Sequence, residues 1–492
     1  MTAPPKGSDP HNISSTSTSK HSKQKQPPQP KKGTSRKSIP EPTGDFALPP
    51  PSPTYYEEGG LRKVKPYMFT FHSWAKERWQ GRTLIDIYSE FRDRTQEYYE
   101  WAIETGIIVV NNRKATPNQI IQNGDLISNV SHRHEPPVVA GPIKIIYDGR
   151  LPGNDGKTLV VEKPGSMPIH PTGRYHFNTL LEILKYDYDL PMVHTSNRLD
   201  RLTSGVMICS LTVEASKELG AWFGGQRGSS VKKEYVARCV GEFPSETVVC
   251  EEPLLTLDRQ VGVNVVHPEG RDSKTIFERM SYDQASDTSV VLCRPITGRT
   301  HQIRVHLQYL GHPIANDPLY QNSAAWGETR GKGGVYSSPE SIAAAEARRS
   351  RGEAFMEAEK SKSTDIVEGE EGIDRKKHDL TLTEGAEKAI KALRGARDEV
   401  DGFARDRDVE GLEKARKRHG ESGQLIHEGE EGTEEEGFCT KCFTPLLPDP
   451  KPEQLFIWLH AMRYTTIEWD WKSALPEWAE SSYEVPLSSI LT

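Results

Sequence analysis

The chain has 492 residues, 35% hydrophobic and 27% charged, with a formal net charge of −7. That length exceeds one ordinary compact domain and predicts two or three. Six cysteines spread over the chain make no disulfide framework, no run of about 20 apolar residues offers a membrane span, and no apolar signal core follows Met1.

The charge is unevenly placed. Residues 1–40 hold eight basic side chains and one acidic, whereas residues 351–437 hold 16 basic against 25 acidic. A distant acidic tract does not prevent a local basic groove from binding phosphate, because screening acts within about 8–10 Å. Net charge therefore neither supports nor excludes a nucleic-acid partner.

In chain order, residues 1–60 form a basic, Ser- and Pro-rich start with too little apolar surface to offset its ordering entropy, and disorder is expected there. The start is Lys-rich rather than Arg-rich and its early prolines oppose an amphipathic helix, so a cytoplasmic location is expected, with mitochondrial or nuclear placement as alternatives. Order is expected from about Tyr67. Residues 67–138 read as a small module: Leu84, Ile85, Tyr88 and Phe91 share a helical face, a second helix follows near Tyr98–Thr105, and Ile107–Val110 and LISNV read as strands around the turn Asn123-Gly124-Asp125. Two helices with a hairpin suit either a packing subdomain or an RNA-binding module, and the arrangement resembles the S4 type.

Residues 140–332 alternate β-rich runs (IKIIY, TLVVEK, VMICS, EYVARCV, SVVLCR) with helical stretches, one of them at Leu180–Leu184. The pattern predicts an α+β domain on a mixed or antiparallel central sheet with flanking helices. No Gly-rich phosphate loop follows a strand, which disfavours nucleotide cofactors. Residues 335–436 are a charged low-complexity insert, expected to be disordered apart from a solvated helix near Ala386–Arg394. Residues 437–492 are apolar again. The stretch PLLPDPKPEQLFIWLHAMRY carries a 3.6-type run, and the segment is expected to pack on the domain of residues 140–332.

The sharpest chemical signal is Asn197-Arg198-Leu199-Asp200-Arg201-Leu202-Thr203-Ser204-Gly205, a turn ahead of the strand VMICS. A carboxylate flanked by guanidinium groups is held ionised and needs no tuning to act as a nucleophile at neutral pH. A bare Arg-Leu-Asp triplet is usually a surface ion pair. The longer context changes that reading. The segment resembles the first signature of the RluA-type RNA pseudouridine synthases. KKEYVARCVGEFP resembles their second motif and RPITGRTHQIRVHLQYLGHPIANDPLY their third. KPGSMPIHPTGRYH resembles the stretch ahead of the catalytic loop.

The resemblance covers about residues 140–325 and implies isomerisation of uridine to pseudouridine in RNA, with base flipping and no cofactor. It implies Asp200 as the catalytic carboxylate, Tyr235 as the platform for the target base, and Arg304 as the partner of the aspartate. Arg198 would enter the space left by the flipped nucleotide, and Arg201, Arg299 and His301 would face RNA. The residue before Arg198 is often His in bacterial members. Asn197 resembles the eukaryotic tRNA-modifying branch, which implies tRNA as the partner, at position 32 of the anticodon loop, with messenger or ribosomal RNA as the alternative target. A monomer without membrane contact is expected. An inactive RNA-binding protein of the same fold is the rival reading, but such a protein would have lost the aspartate or its arginine.

Cys439-Thr440-Lys441-Cys442 is a C-x-x-C pair with no second pair to complete four zinc ligands. Neither His427 nor His460 stands at a ligand-pair spacing, so two packed or free thiols and no metal are expected. A zinc deaminase is excluded. His267-Pro268-Glu269 lies far from the cysteines, and Phe438 rather than Pro precedes Cys439.

Overall fold

The computed structural model describes residues 51–91, 94–225, 231–258, 262–334, 387–394, 434–435, 438–439, 442, 446–486 and 490. The expectations for residues 1–50 and for most of 335–436, His427 included, lie outside them.

The N-terminal part contains β1 (Tyr55–Glu58), β2 (Leu61–Val64), β3 (Tyr67–Trp74), α1 (Leu84–Tyr88), α2 (Gln96–Thr105), β4 (Ile108–Val110), β5 (Arg113–Lys114), β6 (Leu126–Arg133) and β7 (Val138–Val139). Strands therefore begin ahead of Tyr67. The β1–β2 hairpin is anchored by buried Leu61 and Val64, pairs with β7, and is tied down by the Tyr55 hydroxyl, which donates to the Phe177 carbonyl at 2.8 Å. A four-stranded sheet in the order β3-β6-β4-β5 packs on α1 and α2 over a core that includes Leu84, Ile87, Trp101, Ile103 and Ile108. Both helices start at a threonine cap. Thr83 accepts from the Asp86 amide and Thr95 from the Tyr98 amide, each at 3.2 Å. Helix α1 ends at Tyr88, which leaves Phe91 exposed rather than on a buried face. Glu135 joins this part to the next, its carboxylate accepting from the amides of His176, Phe177 and Asn178 at 2.8–3.0 Å.

The following elements are β8 (Lys144–Asp148), β9 (Thr158–Lys163), α3 (Leu180–Asp187), β10 (His194–Thr195), β11 (Ser204–Ser210), α4 (Val213–Phe223), β12 (Lys232–Val240), β13 (Val248–Cys250), β14 (Leu254–Asp258), β15 (Val263–Val266), β16 (Thr275–Asp283), β17 (Thr288–Pro295), α5 (Gln302–Leu310) and α6 (Ser323–Trp326). After them come β18 (Glu434–Glu435), β19 (Phe438–Cys439), β20 (Leu459–Thr465) and β21 (Asp470–Lys472). One ten-stranded sheet runs β13-β16-β17-β12-β20-β11-β9-β8, with β10 beside β11 and β21 beside β20. The fold is α+β on a mixed sheet, antiparallel except where β20 runs parallel to β11. Among the described residues no helix is long and apolar enough to cross a membrane.

Two sequence expectations are corrected here. The C-terminal segment contributes a central strand, β20, between β12 and β11, where a 3.6-type run was read. A strand covered on both faces has no two-residue alternation, so the dense apolar run IWLHAMRY could not be told from a helix by period. Gly205 makes the insertion possible: with φ +118°, a Cβ there would stand 2.3 Å from the Ala461 carbonyl oxygen. The helix at 387–394 is also not solvated. Ala389 and Leu393 are buried with Leu254, Val263, Val265 and Trp326, and Arg394 pairs with Asp258.

Candidate active site

The turn that carries Asp200, between β10 and β11, is pinned from several sides. The Thr203 amide donates to the Asp200 carbonyl at 3.1 Å, closing the turn. Lys163, at the end of β9, is fully buried and donates to the carbonyls of Pro164, Met167 and Arg201 at 2.8, 2.9 and 3.2 Å. Burial pulls this ammonium down to about 7, against the attraction of Asp200. From the C-terminal segment, the Ile457 amide donates to the Leu202 carbonyl at 3.1 Å. Phe456 lies against Gly165, where a Cβ would come within 2.4 Å of it.

The Asp200 side chain, about one-third exposed, faces α5. Arg304 NH1 lies 3.7 Å from its Oδ2, and His301 Nε2 lies 3.6 Å from the same oxygen. Arg304 is buried and grips Asp317 in a two-point pair, Nε to Oδ2 at 2.6 Å and NH2 to Oδ1 at 2.9 Å. Burial works against charge on both partners. Their mutual attraction prevails, raising Arg304 above and holding Asp317 below its ordinary range, with the amides of Tyr320 and Leu319 also donating to Asp317. The guanidinium also lies over the Tyr320 ring, 4.9 Å from its centroid.

His301 caps α5 with φ +58°, a left-handed conformation uncommon for a non-glycine residue. Its Nδ1 pairs with the Tyr320 hydroxyl at 2.9 Å, which turns Nε2 toward Asp200. Burial first, then the Arg304 charge, push this imidazole down to about 4, so it is neutral at physiological pH.

Tyr235 lies on β12 and shares a 2.7 Å hydroxyl contact with Tyr464 of β20, the rings meeting edge to face at 6.1 Å. Burial, with the nearby Asp200 charge adding to it, pushes the Tyr235 phenol up to about 12. Arg198 is exposed. Arg201 bends back to the Tyr175 hydroxyl at 3.3 Å, and exposed Arg299 donates to the Asp272 carbonyl at 3.1 Å. The structure thus brings Asp200, Arg304 and His301 into one cluster and sets Tyr235 beside it, with the three other arginines around the turn and the start of α5. Sequence reasoning assigned no role to Lys163, Asp317, Tyr320 or Tyr464. The first three lie inside motif stretches already singled out, and Tyr464 closes the apolar run of the C-terminal segment.

The two cysteines have neighbours that the sequence reading did not name. Cys439 Sγ lies 3.6 Å from His132 Nδ1, and Cys442 Sγ lies 3.2 Å from His134 Nε2. The thiols have imidazole partners from β6 and its end, which no short-range spacing announces. His460 is held elsewhere, between Ser204 at 2.9 Å and Ser473 at 2.6 Å.

Residues 157–309 match the family model described as RNA pseudouridylate synthase. The chain is 38% identical over 435 residues to Pseudouridylate synthase RPUSD2 of Mus musculus, covering 88% of this chain and 74% of that protein. It is 37% identical over 436 residues to the Saccharomyces cerevisiae protein named tRNA pseudouridine(32) synthase, mitochondrial, covering 86% and 78%. A second protein of that yeast, named tRNA pseudouridine(31) synthase, is 35% identical over 302 residues, covering 54% and 73%.

Proposed function

Because the chain belongs to the RNA pseudouridine synthase family, in its RluA-type branch, and isomerises uridine to pseudouridine, we propose that it acts on tRNA with Asp200 as its catalytic carboxylate. The observation that carries the assignment is the orientation of Arg304. Its Nε and NH2 are committed to buried Asp317, which leaves NH1 turned toward Asp200. A carboxylate steered by a guanidinium that cannot swing away is preorganised for attack.

The reaction breaks the N1–C1′ bond, rotates the base and joins C5 to C1′. The C5 proton is lost and N1 gains one, so atoms and charge balance without redox partner, nucleotide or metal. Asp200 acts on the ribose or base to permit cleavage. Tyr235, fixed by Tyr464, offers the base a platform worth about 1–3 kcal/mol of stacking. Arg198, exposed beside Asp200, occupies the gap left by the extruded nucleotide, an extrusion that costs a few kcal/mol. Arg201, Arg299 and His301 line the approach of the RNA strand. Residues 67–138 serve as an S4-like RNA-binding module, and residues 140–332 together with 437–492 serve as the catalytic domain.

The substrate proposal is position 32 of tRNA. Support comes from the relative named for that position, which aligns with 86% of this chain, against 54% for the relative named for position 31. We place the enzyme in the cytoplasm as a monomer. Pseudouridine maps of total RNA from cells with and without the gene test this reading. Loss confined to tRNA position 32, restored by the wild-type gene, supports it. Loss confined to ribosomal or messenger RNA overturns the substrate while leaving the reaction intact. Cell fractionation and light scattering test location and subunit number.

A further inference from the structure

We propose that His132, His134, Cys439 and Cys442 bind a structural zinc ion that fastens the C-terminal segment to the N-terminal part of the protein. Among the described residues, these four converge so that one ligand atom from each lies within 4.8 Å of all the others. Zinc with two sulfur ligands at about 2.3 Å and two nitrogen ligands at about 2.0–2.1 Å sets neighbouring ligand atoms roughly 3.3–3.8 Å apart in a tetrahedron. Two Cys–His approaches, 3.6 and 3.2 Å, lie at or just under those edges.

The local chain geometry suits both ligand pairs. His132 and His134 are two residues apart at the end of extended β6, which sends both side chains to one side. Their rings stand perpendicular with centroids 4.9 Å apart, close enough for both imidazoles to reach one ion. Cys439 ends β19 and Cys442 follows in a turn, the two-residue separation that lets a short loop present two thiolates to one ion. His132 and Cys439 are buried while His134 and Cys442 are partly exposed, so an ion would be shielded yet reachable. Two sulfurs and two imidazoles in a tetrahedron select zinc over the oxygen-seeking divalent ions.

The site gives the fold a clamp where one is useful. Strand β20 lies in the middle of the sheet, far along the chain from the strands it pairs with, and bringing distant segments together costs entropy. Fixing Cys439 and Cys442 to β6 holds the chain shortly before β20 inserts, and so steadies Ile457 and Tyr464 beside the catalytic turn. The inference is independent of the isomerase chemistry proposed above, which requires no metal.

The test is metal analysis of the full chain, purified without chelators or a histidine tag. Plasma mass spectrometry is expected to find about one zinc per chain, falling at least fivefold in Cys442→Ser and in His134→Gln. Should either variant fail to fold, the wild-type chain loaded with cobalt decides the matter. Thiolate-to-cobalt charge transfer together with intense tetrahedral d–d bands supports the proposal. A wild-type chain with less than about a tenth of an equivalent of zinc and no such spectrum overturns it. Zinc content unchanged in a folded Cys442→Ser variant, or a native Cys439–Cys442 disulfide, also overturns it.

Discussion

The backbone N–H of Ile457 donates to the carbonyl of Leu202 at 3.1 Å, two residues beyond Asp200. A segment from the far end of the chain thereby holds the turn that carries Asp200. Lys163 holds the preceding carbonyl, that of Arg201, from the other side at 3.2 Å. The position of the Asp200 carboxylate is thus set by β9 and by the C-terminal segment as much as by its own loop. Residues outside the catalytic motif should therefore affect turnover.

Gly205 is the most direct case. Its φ of +118° and the 2.3 Å approach of a Cβ to the Ala461 carbonyl leave no room for a side chain without moving β20. Gly205→Ala should cost about 3 kcal/mol or more of stability. Limited proteolysis should then cut within 446–486 faster than in the wild type. Stability within about 1 kcal/mol of wild type in urea denaturation would mean that β20 adapts without cost.

Asp317→Asn keeps the shape of the side chain and removes its charge. The buried Arg304 guanidinium then loses its two-point ionic partner, a change worth about 3–5 kcal/mol. Turnover should fall at least tenfold, because Arg304 becomes free to close on Asp200 and draw it out of position. Chemical denaturation and single-turnover kinetics on one preparation measure the two effects separately. Lost stability with unchanged turnover would reduce Arg304 to a structural residue.

Arg198→Ala should lower the saturated single-turnover rate more than RNA affinity, since the side chain acts after the base has left its stack. Arg299→Ala, at a proposed phosphate contact, should instead reduce the slope of log affinity against log salt by about 0.7. An Arg198→Ala variant with weaker binding and an unchanged saturated rate would make Arg198 a phosphate anchor only.

Three imidazoles give the fold a defined acid limit. Burial pushes His301, His306 and His460 down to about 4. In the unfolded chain they take up protons near pH 6.5, while in the folded chain they stay neutral until about pH 4. Their contribution is therefore fully present above pH 6.5 and lost as the pH falls toward 4, on the order of 2–3 kcal/mol for each. Urea midpoints measured from pH 7.5 to 4.5 should fall steadily below 6.5, and less steeply in a folded His306→Gln variant. A flat profile over that range would contradict the buried neutral state.

The three motif segments made Asp200, Tyr235 and Arg304 legible because each carries its residue within a long ordered pattern. Asp317 stood in the third of these segments and Lys163 in the stretch ahead of the first, both without a role. An aspartate that holds an arginine and a lysine that holds three carbonyls are defined by neighbours that sequence order does not reveal. Strand β20 was misread because Leu459, His460 and Ala461 are consecutively buried, which erases the alternation that marks a strand. Ala389 and Leu393 were read as solvated because an apolar pair four residues apart is too small a face to identify alone. His132 and Cys439 meet in space across most of the chain, so no local spacing could pair them.

The most direct test of the account is the single-turnover rate of Asp200→Asn at saturating enzyme, on the RNA that the wild-type chain modifies. The substitution preserves size and removes the negative charge, exchanging one acceptor oxygen for an NH2 donor. Conversion should fall by at least about a thousandfold while the dissociation constant for RNA stays within about threefold of wild type. A rate within tenfold of wild type, with binding intact, would contradict the assignment of Asp200 as the catalytic carboxylate.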